Sequence, residues 1–346
     1  LVHVTSCDIL SASVLDVVKN ANLPLILSLT DFWFLCPRWN LLRSDGENCN
    51  GVTTPWECLK CNLYNEKVFR WPSNVLPESV VAPLLTGVSK YPMFTRQRGL
   101  RGMAGDYEER KRYLRRALSL PNYRITASNF VRDVFVTNGI EDPIHVQPYG
   151  HDLSWLDSYT GKTPSDVIRI GFVGQIPYSK GVHLLLEAAR SLAKDDLDYA
   201  VQFFIYGNVE HDADYSAELF NIAAEIQNVE FCGTYAHDES AGVFANIDVL
   251  VVPSLWYDFP LVIHEAFATK TPVVATNLGG MAEVVAHDLN GLLFERDNVA
   301  DLAAQLKRIM GETGLLQHLQ DGIRPVKPID QEIDVLEAIY DRLLVK

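Results

Sequence analysis

From position 168 onward, short apolar runs alternate with longer stretches whose apolar residues recur every three or four positions. "IRIGFVG" (168–174) predicts a strand and "GVHLLLEAARSLAK" a helix. "AVQFFIYG", "VEFCG" and "IDVLVVPS" predict further strands, separated by the helical patterns "SAELFNIAAEIQ" and "ESAGVFANI". A helix through "PLVIHEAFATK", a strand at "TPVVAT", and the segments "MAEVVAH" and "NGLLF" complete the series. Short, continuously apolar strands between helices indicate a parallel sheet covered on both faces. This half therefore reads as a doubly wound α/β domain.

The first half has fewer such units. "LVHVTS", "LPLILSLT" and "YRITAS" read as strands, "SASVLDVVKNA" and "NFVRDVFVTNG" as helices, and a long irregular region at 32–95 interrupts them. "IHVQPYGHDLSWLDSYTGKTPSD" has the Pro, Gly and polar content of a linker, which puts a boundary near Tyr149 to Asp152. The expected domains are 1–150, with a Cys-containing insertion at 32–95, and 151–328. A final helix at 329–346 has an apolar face, Ile333, Leu336, Ile339, Tyr340 and Leu343, and is expected to pack back on the first domain. The chain opens at Leu1, inside a strand pattern, so the amino-terminal domain is expected to be incomplete and targeting information lost.

Composition narrows the class. A net charge of −14 argues against nucleic acid or an anionic membrane being bound through the overall field. A hydrophobic fraction of 48% fits a soluble globular protein, and no apolar run is long enough to span a bilayer. Cys36, Cys49, Cys58 and Cys61 cluster in the insertion, while Cys7 and Cys232 stand apart, a pattern closer to an intracellular protein than to a disulfide-built module. Four thiolates suffice for a structural zinc; free thiols or disulfides are the alternatives. The run "RQRGLRGMAGDYEERKRYLRRALSL" could meet a lipid-diphosphate acceptor or a membrane surface, but its interleaved Glu108 and Glu109 favour a solvated helix.

Ligands of open α/β sheets bind beyond the carboxyl ends of the strands. After the first strand of the second half comes "QIPYSKG", where Lys180 stands at the mouth of a helix, suited to a phosphate. After "VVPSLWYD" comes a helix that Asp258 can cap and whose first turn suits Pro260, leaving amides of Phe259, Leu261 and Val262 for an anion. Glu265 interrupts this otherwise apolar helix. A carboxylate there could accept hydrogen bonds from the vicinal hydroxyls of a ribose, or pair with an Arg or backbone amides.

"GFVGQIPYSKGVHLLLEA", "PSLWYDFPLVIHEAFATKTPVVAT" and "NLGGMAEVVAHDLNGLLF", in that order, resemble the donor-binding half of a GT-B glycosyltransferase of family 4, of the bacterial envelope or exopolysaccharide type. The resemblance covers about 168–310 well and the first half less specifically. It implies two Rossmann-like domains facing a cleft, and a retaining transfer of a hexose, with UDP-glucose the best-guess donor, to a glycan or lipid-linked acceptor. It further implies that Lys180 binds the donor diphosphate beside Gly174 and Gln175, and that Glu265 binds the ribose. Phe259, Pro260, Leu261 and Val262 would hold phosphate and sugar, and Gly207, Cys232 and Gly233 the base. Lys180, Asp258 and Glu265 are the expected catalytic set, with no metal or other cofactor required.

Departures are visible. Gln175 stands where the family has Arg, Asp258 where it has Glu and one residue nearer to Glu265, and Thr5 where many members have His. His3 is expected to be a satisfied strand histidine. Those changes keep open a non-catalytic nucleotide-sugar-binding partner subunit. A sugar phosphorylase of the same fold is the other alternative, and Glu265 speaks against it, since a ribose ligand has no use without a nucleoside. "DAD" (212–214) matches a metal-binding DxD but reads better as a solvated loop. The expected location is the cytoplasm or the inner face of the cell membrane.

Overall fold

The computed structural model describes residues 1–8, 10–63, 79–80, 83, 104–194, 200–210, 212–257 and 260–345. Its chain divides into two compact units, Leu1–Pro148 with Leu336–Lys346, and Tyr149–Val335.

In the first unit, β1 (Val2–Val4), β2 (Leu25–Leu29), β3 (Tyr123–Thr126) and β4 (His145–Val146) form a parallel sheet in that order. Leu25, Ile26, Leu27 and Leu29 of β2 are all buried, as a strand covered on both faces requires. The helix Ser13–Asn20 buries Leu15 and Val18. Ser128 starts the helix Asn129–Thr137 by accepting the amide of Val131 at 3.1 Å, and Phe135 of that helix is fully buried. The carboxyl-terminal half of the helix Ile329–Leu344 also belongs to this unit. Its Tyr340 hydroxyl lies 2.7 Å from Nδ1 of His3, while Nε2 of His3 lies 2.8 Å from the Ser28 hydroxyl. Both ring nitrogens are thus engaged.

Part of the basic run lies outside the described residues, Arg96, Arg98 and Arg101 included. Three arginines of the helix Ala104–Leu118 reach neighbouring segments, while Arg112, Arg115 and Arg116 remain largely exposed, as a solvated helix requires. Arg110 donates to the Trp33 carbonyl, Arg115 to that of Asn138, and Arg116 pairs with Asp16 at 2.8 Å. Among the described residues no helix is long and apolar enough to cross a membrane.

The second unit carries a six-stranded parallel sheet. Its strands are β5 (Ile168–Val173), β6 (Val201–Tyr206), β7 (Val229–Gly233), β8 (Val249–Val252), β9 (Val273–Thr276) and β10 (Gly291–Phe294), in the spatial order β10-β9-β8-β5-β6-β7. Alternate residues face opposite sides. Ile170, Phe172, Val249 and Val251 join one apolar cluster, with Leu185 and Leu306 from the helices Val182–Leu192 and Val299–Gly311. Val173, Leu250 and Val252 join the other, with Phe244, Ile263 and Met281.

One buried ion pair sits at the start of β5. Asp248 accepts from the Arg169 amide, Nε and Nη2 at 2.9, 2.9 and 2.8 Å, and returns its own amide to the Arg169 carbonyl at 2.8 Å. The two side chains are 7% and 18% exposed, so neither charge is well hydrated alone. Removing one partner from such a pair costs about 3–5 kcal/mol. Asp248→Ala is therefore expected to lower the urea midpoint of unfolding by that equivalent. An unchanged midpoint would mean that the pair contributes nothing net to stability.

Candidate functional site

The chain runs outward from β5 through β6 to β7, then returns to lay β8 on the opposite side of β5. The connections leaving β5 and β8 consequently lead to helices on opposite faces of the sheet, the topology in which open α/β sheets bind ligands at the carboxyl ends of their strands. Gln175 and Lys180 lie on the first connection, and Glu265 on the helix reached by the second.

The turn after β5 is held by close approaches. Gly181 has φ +71°, and a Cβ there would stand 2.0 Å from the Pro253 carbonyl oxygen, so only glycine fits without moving the β8 loop. The Leu255 amide donates to the Ser179 carbonyl at 2.8 Å. Beneath, Tyr178 stacks on His183 with ring centroids 4.4 Å apart, and His183 Nδ1 lies 2.8 Å from the Tyr215 hydroxyl. Burial lowers the His183 pKa and favours the neutral ring. Lys180 is set down on this platform, its Nζ 5.9 Å from the Trp256 ring centroid.

Gly174, Gln175 and Gly207 line a cavity of about 350 Å³ together with Asn208, Thr234 and Tyr235. Gly207, at φ +155°, passes so near the end of β5 that a Cβ would stand 2.1 Å from the Gly174 oxygen. Cys232 and Gly233 do not line the cavity. The register between β6 and β7 shifts at Ile205/Tyr206, so Tyr206 pairs with Gly233 and Cys232 is passed over. That irregularity hands the wall to Thr234 and Tyr235. Asn208, Thr234 and Tyr235 carry no motif of their own; their only signal in the sequence is to follow strand-end glycines.

Glu265 lies on the helix Val262–Ala268, which buries Ile263, Ala266 and Phe267. Its side chain is half-buried, and among the described residues the carboxylate has no hydrogen-bond or ion-pair partner. Burial raises its pKa, and His237 opposes the shift. Tyr235 is pushed up to about 12, by burial first and then by the Glu265 charge, which links the carboxylate electrostatically to the cavity wall. Lys180 and Glu265 do not themselves line that cavity.

Asp258 and Phe259 lie outside the described residues. The helix begins at Val262, so Pro260 precedes its first turn instead of occupying it. The carbonyls of Pro260 and Leu261 accept the amides of Ile263, His264 and Glu265, and among the described residues no side chain caps the helix. Asp212 of "DAD" accepts the Tyr215 amide at 3.1 Å and caps the helix Ala213–Ala223, a structural role for a tripeptide expected to be a solvated loop.

This geometry can be set beside known proteins. Residues 168–312 match the family model described as glycosyl transferases group 1. The match lies within the second unit. A D-inositol 3-phosphate glycosyltransferase of Paenarthrobacter aurescens is 32% identical over 48% of this chain and 43% of its own length. An uncharacterized glycosyltransferase of Methanocaldococcus jannaschii is 27% identical over 50% and 45%. The chain spans less than half the length of these curated relatives. Among solved structures, Anabaena HepE in complex with UDP is similar at a TM-score of 0.64 and 16% identity, covering 95% of this chain and 76% of HepE. Sucrose-phosphate synthase of Thermosynechococcus elongatus aligns at a TM-score of 0.60 and 17% identity, over 99% and 98%. The fold is thus the GT-B fold, with two Rossmann-like α/β domains.

Next to Glu265, His264 stacks on His151 at 4.2 Å. Burial, reinforced by His151, lowers its pKa from 6.5 to about 4. Between those values the unfolded chain binds the proton and the folded one does not, so stability is lost as pH falls from about 6.5 toward about 4. His264→Phe, which keeps the stack, is expected to show a smaller drop in melting temperature between pH 7 and pH 5 than the parent. Equal drops would assign the acid sensitivity to other groups.

Proposed function

We propose that this chain is a retaining hexosyltransferase of family 4. It moves a hexose from a nucleoside diphosphate sugar to a hydroxyl of a glycan or lipid-linked acceptor in polysaccharide biosynthesis. One observation carries the reading: the half-buried Glu265 carboxylate, without a partner among the described residues, on the element that leaves β8 at the switch point. A desolvated carboxylate is costly unless something accepts its charge. The vicinal hydroxyls of a ribose supply two donors at once. UDP and UDP-glucose, present in the HepE structures, are the first ligands to test.

The base then fits between the strand-end glycines, Gly174 and Gly207, against Tyr235 and Thr234. Ribose meets Glu265, and the diphosphate faces Lys180. As the bond from the anomeric carbon to the diphosphate oxygen breaks, negative charge grows on the leaving group, and the Lys180 ammonium stabilises it. The acceptor oxygen attacks from the face the leaving group departs, and its proton passes to the departing phosphate. No protein nucleophile is required by that route. With Gln175 in place of a second cation, Lys180 carries more of the electrostatic load.

The test is a thermal titration with UDP, GDP, ADP and their sugar forms, followed by turnover of the best donor. A ligand at 100 times its dissociation constant adds about 2.7 kcal/mol to stability. Glu265→Ala is expected to abolish the shift seen with the parent. Lys180→Ala is expected to lower kcat by roughly 10²–10³-fold. Binding in the parent without turnover would favour the partner-subunit reading prompted by Gln175. No shift with any nucleotide would leave Glu265 a structural residue and overturn the proposal.

A further inference from the structure

Cys36, Cys49, Cys58 and Cys61 arrive from three pieces of chain and line one cavity of about 230 Å³ in the first unit. Cys36 closes the turn that follows β2, its amide bonded to the Phe32 carbonyl at 2.7 Å. Cys49 follows the short bridge Leu42↔Asn48, with its amide on the Leu41 carbonyl at 2.7 Å. Cys58 and Cys61 are three residues apart on the helix Pro55–Leu63, hence neighbours on one of its faces. None of the four is in a disulfide.

Two features go beyond proximity. The first is the polar groups that already reach two of the sulfurs: the Gly51 amide donates to Cys49 Sγ at 3.4 Å, and the Thr53 hydroxyl lies 2.9 Å from Cys58 Sγ. A hydrogen bond donated to sulfur stabilises a thiolate more than a thiol. The second is charge. Arg38, Arg43 and Lys60 line the same cavity, and Arg38 Nε is buried with no hydrogen-bond partner among the described residues. Four thiolates around a divalent cation carry a net charge of −2, and a basic lining is its complement.

We propose that Cys36, Cys49, Cys58 and Cys61 bind one thiophilic divalent cation, zinc by its preference for a closed tetrahedral thiolate set. Each S–H bond gives way to a sulfur–metal bond, the protons pass to solvent, and no electron is transferred. Among the described residues no three such groups already stand as a ready cation site. Closure requires the sulfurs to turn inward across the cavity, and a cysteine has a single side-chain rotor with which to do so. The ion would act as a clip. It would join the turn after β2 to the helix Pro55–Leu63. Asn138, whose Nδ2 donates to the Asn50 carbonyl at 2.9 Å, would connect the clip to the helix Asn129–Thr137.

The decisive measurement is the metal content of the full chain, purified under reducing conditions and dialysed against metal-free buffer. One zinc per chain is expected, released by a mercurial thiol reagent. Cys58→Ser/Cys61→Ser should lose that zinc, and Cys232→Ser should keep it. Should the double variant fail to fold, cobalt(II) added to metal-stripped parent protein decides. Tetrahedral thiolate coordination gives an intense visible d–d envelope and a near-ultraviolet thiolate band, and their absence overturns the proposal. So does metal-free parent protein whose four thiols react natively as fast as after denaturation, or a crosslink between any two of them found by mass spectrometry.

Discussion

The Arg169–Asp248 pair is the constraint on which the second unit depends. β5 and β8 share only two register positions, Ile170↔Val249 and Gly171↔Leu250, yet their junction is where the winding of the sheet reverses. A bidentate guanidinium–carboxylate contact, reinforced by backbone bonds in both directions, fixes that junction at the base of the strands. Beyond the opposite ends of the same strands the two connections touch, through the Leu255–Ser179 bond, and their helices then pass to opposite faces of the sheet.

Burial gives the two connections their chemical character. His183 and His264 both have lowered pKa values, chiefly through desolvation, so two rings that could carry charge there are held neutral at neutral pH. Lys180 on the first connection, Glu265 on the helix after β8, and Arg296, whose Nε donates to the Leu255 carbonyl at 2.7 Å, are then charged groups at these connections. The aromatic platform of Tyr178, His183 and Tyr215 holds the lysine turn by stacking without adding charge.

Much of this could be read in the sequence, for identifiable reasons. Strands such as β5 and β8 are apolar on both faces, and their runs are bounded by Gly, Pro or Ser, so alternation with helices announced a parallel sheet. Glu265 was conspicuous because it breaks an apolar stretch, and Lys180 because it precedes a glycine that has no room for a side chain. Other features left no local trace. The register shift that passes over Cys232 depends on how β6 and β7 pair, and no window of residues encodes a pairing across the sheet. Pro260 was expected inside the helix because proline suits a first turn, but the carbonyls of Pro260 and Leu261 begin the turn outside it. "DAD" matched a metal motif in letters alone; one of its carboxylates serves as a helix cap.

The packing of Gly181 under the Pro253 carbonyl has a consequence for how such a site could change over generations. Together with the Leu255–Ser179 bond, it makes the lysine turn and the loop after β8 a single mechanical piece. A mutation that repositions one repositions the other, so the two loops cannot drift independently. The cavity wall at Asn208, Thr234 and Tyr235 belongs to other strand ends and can change without disturbing that piece.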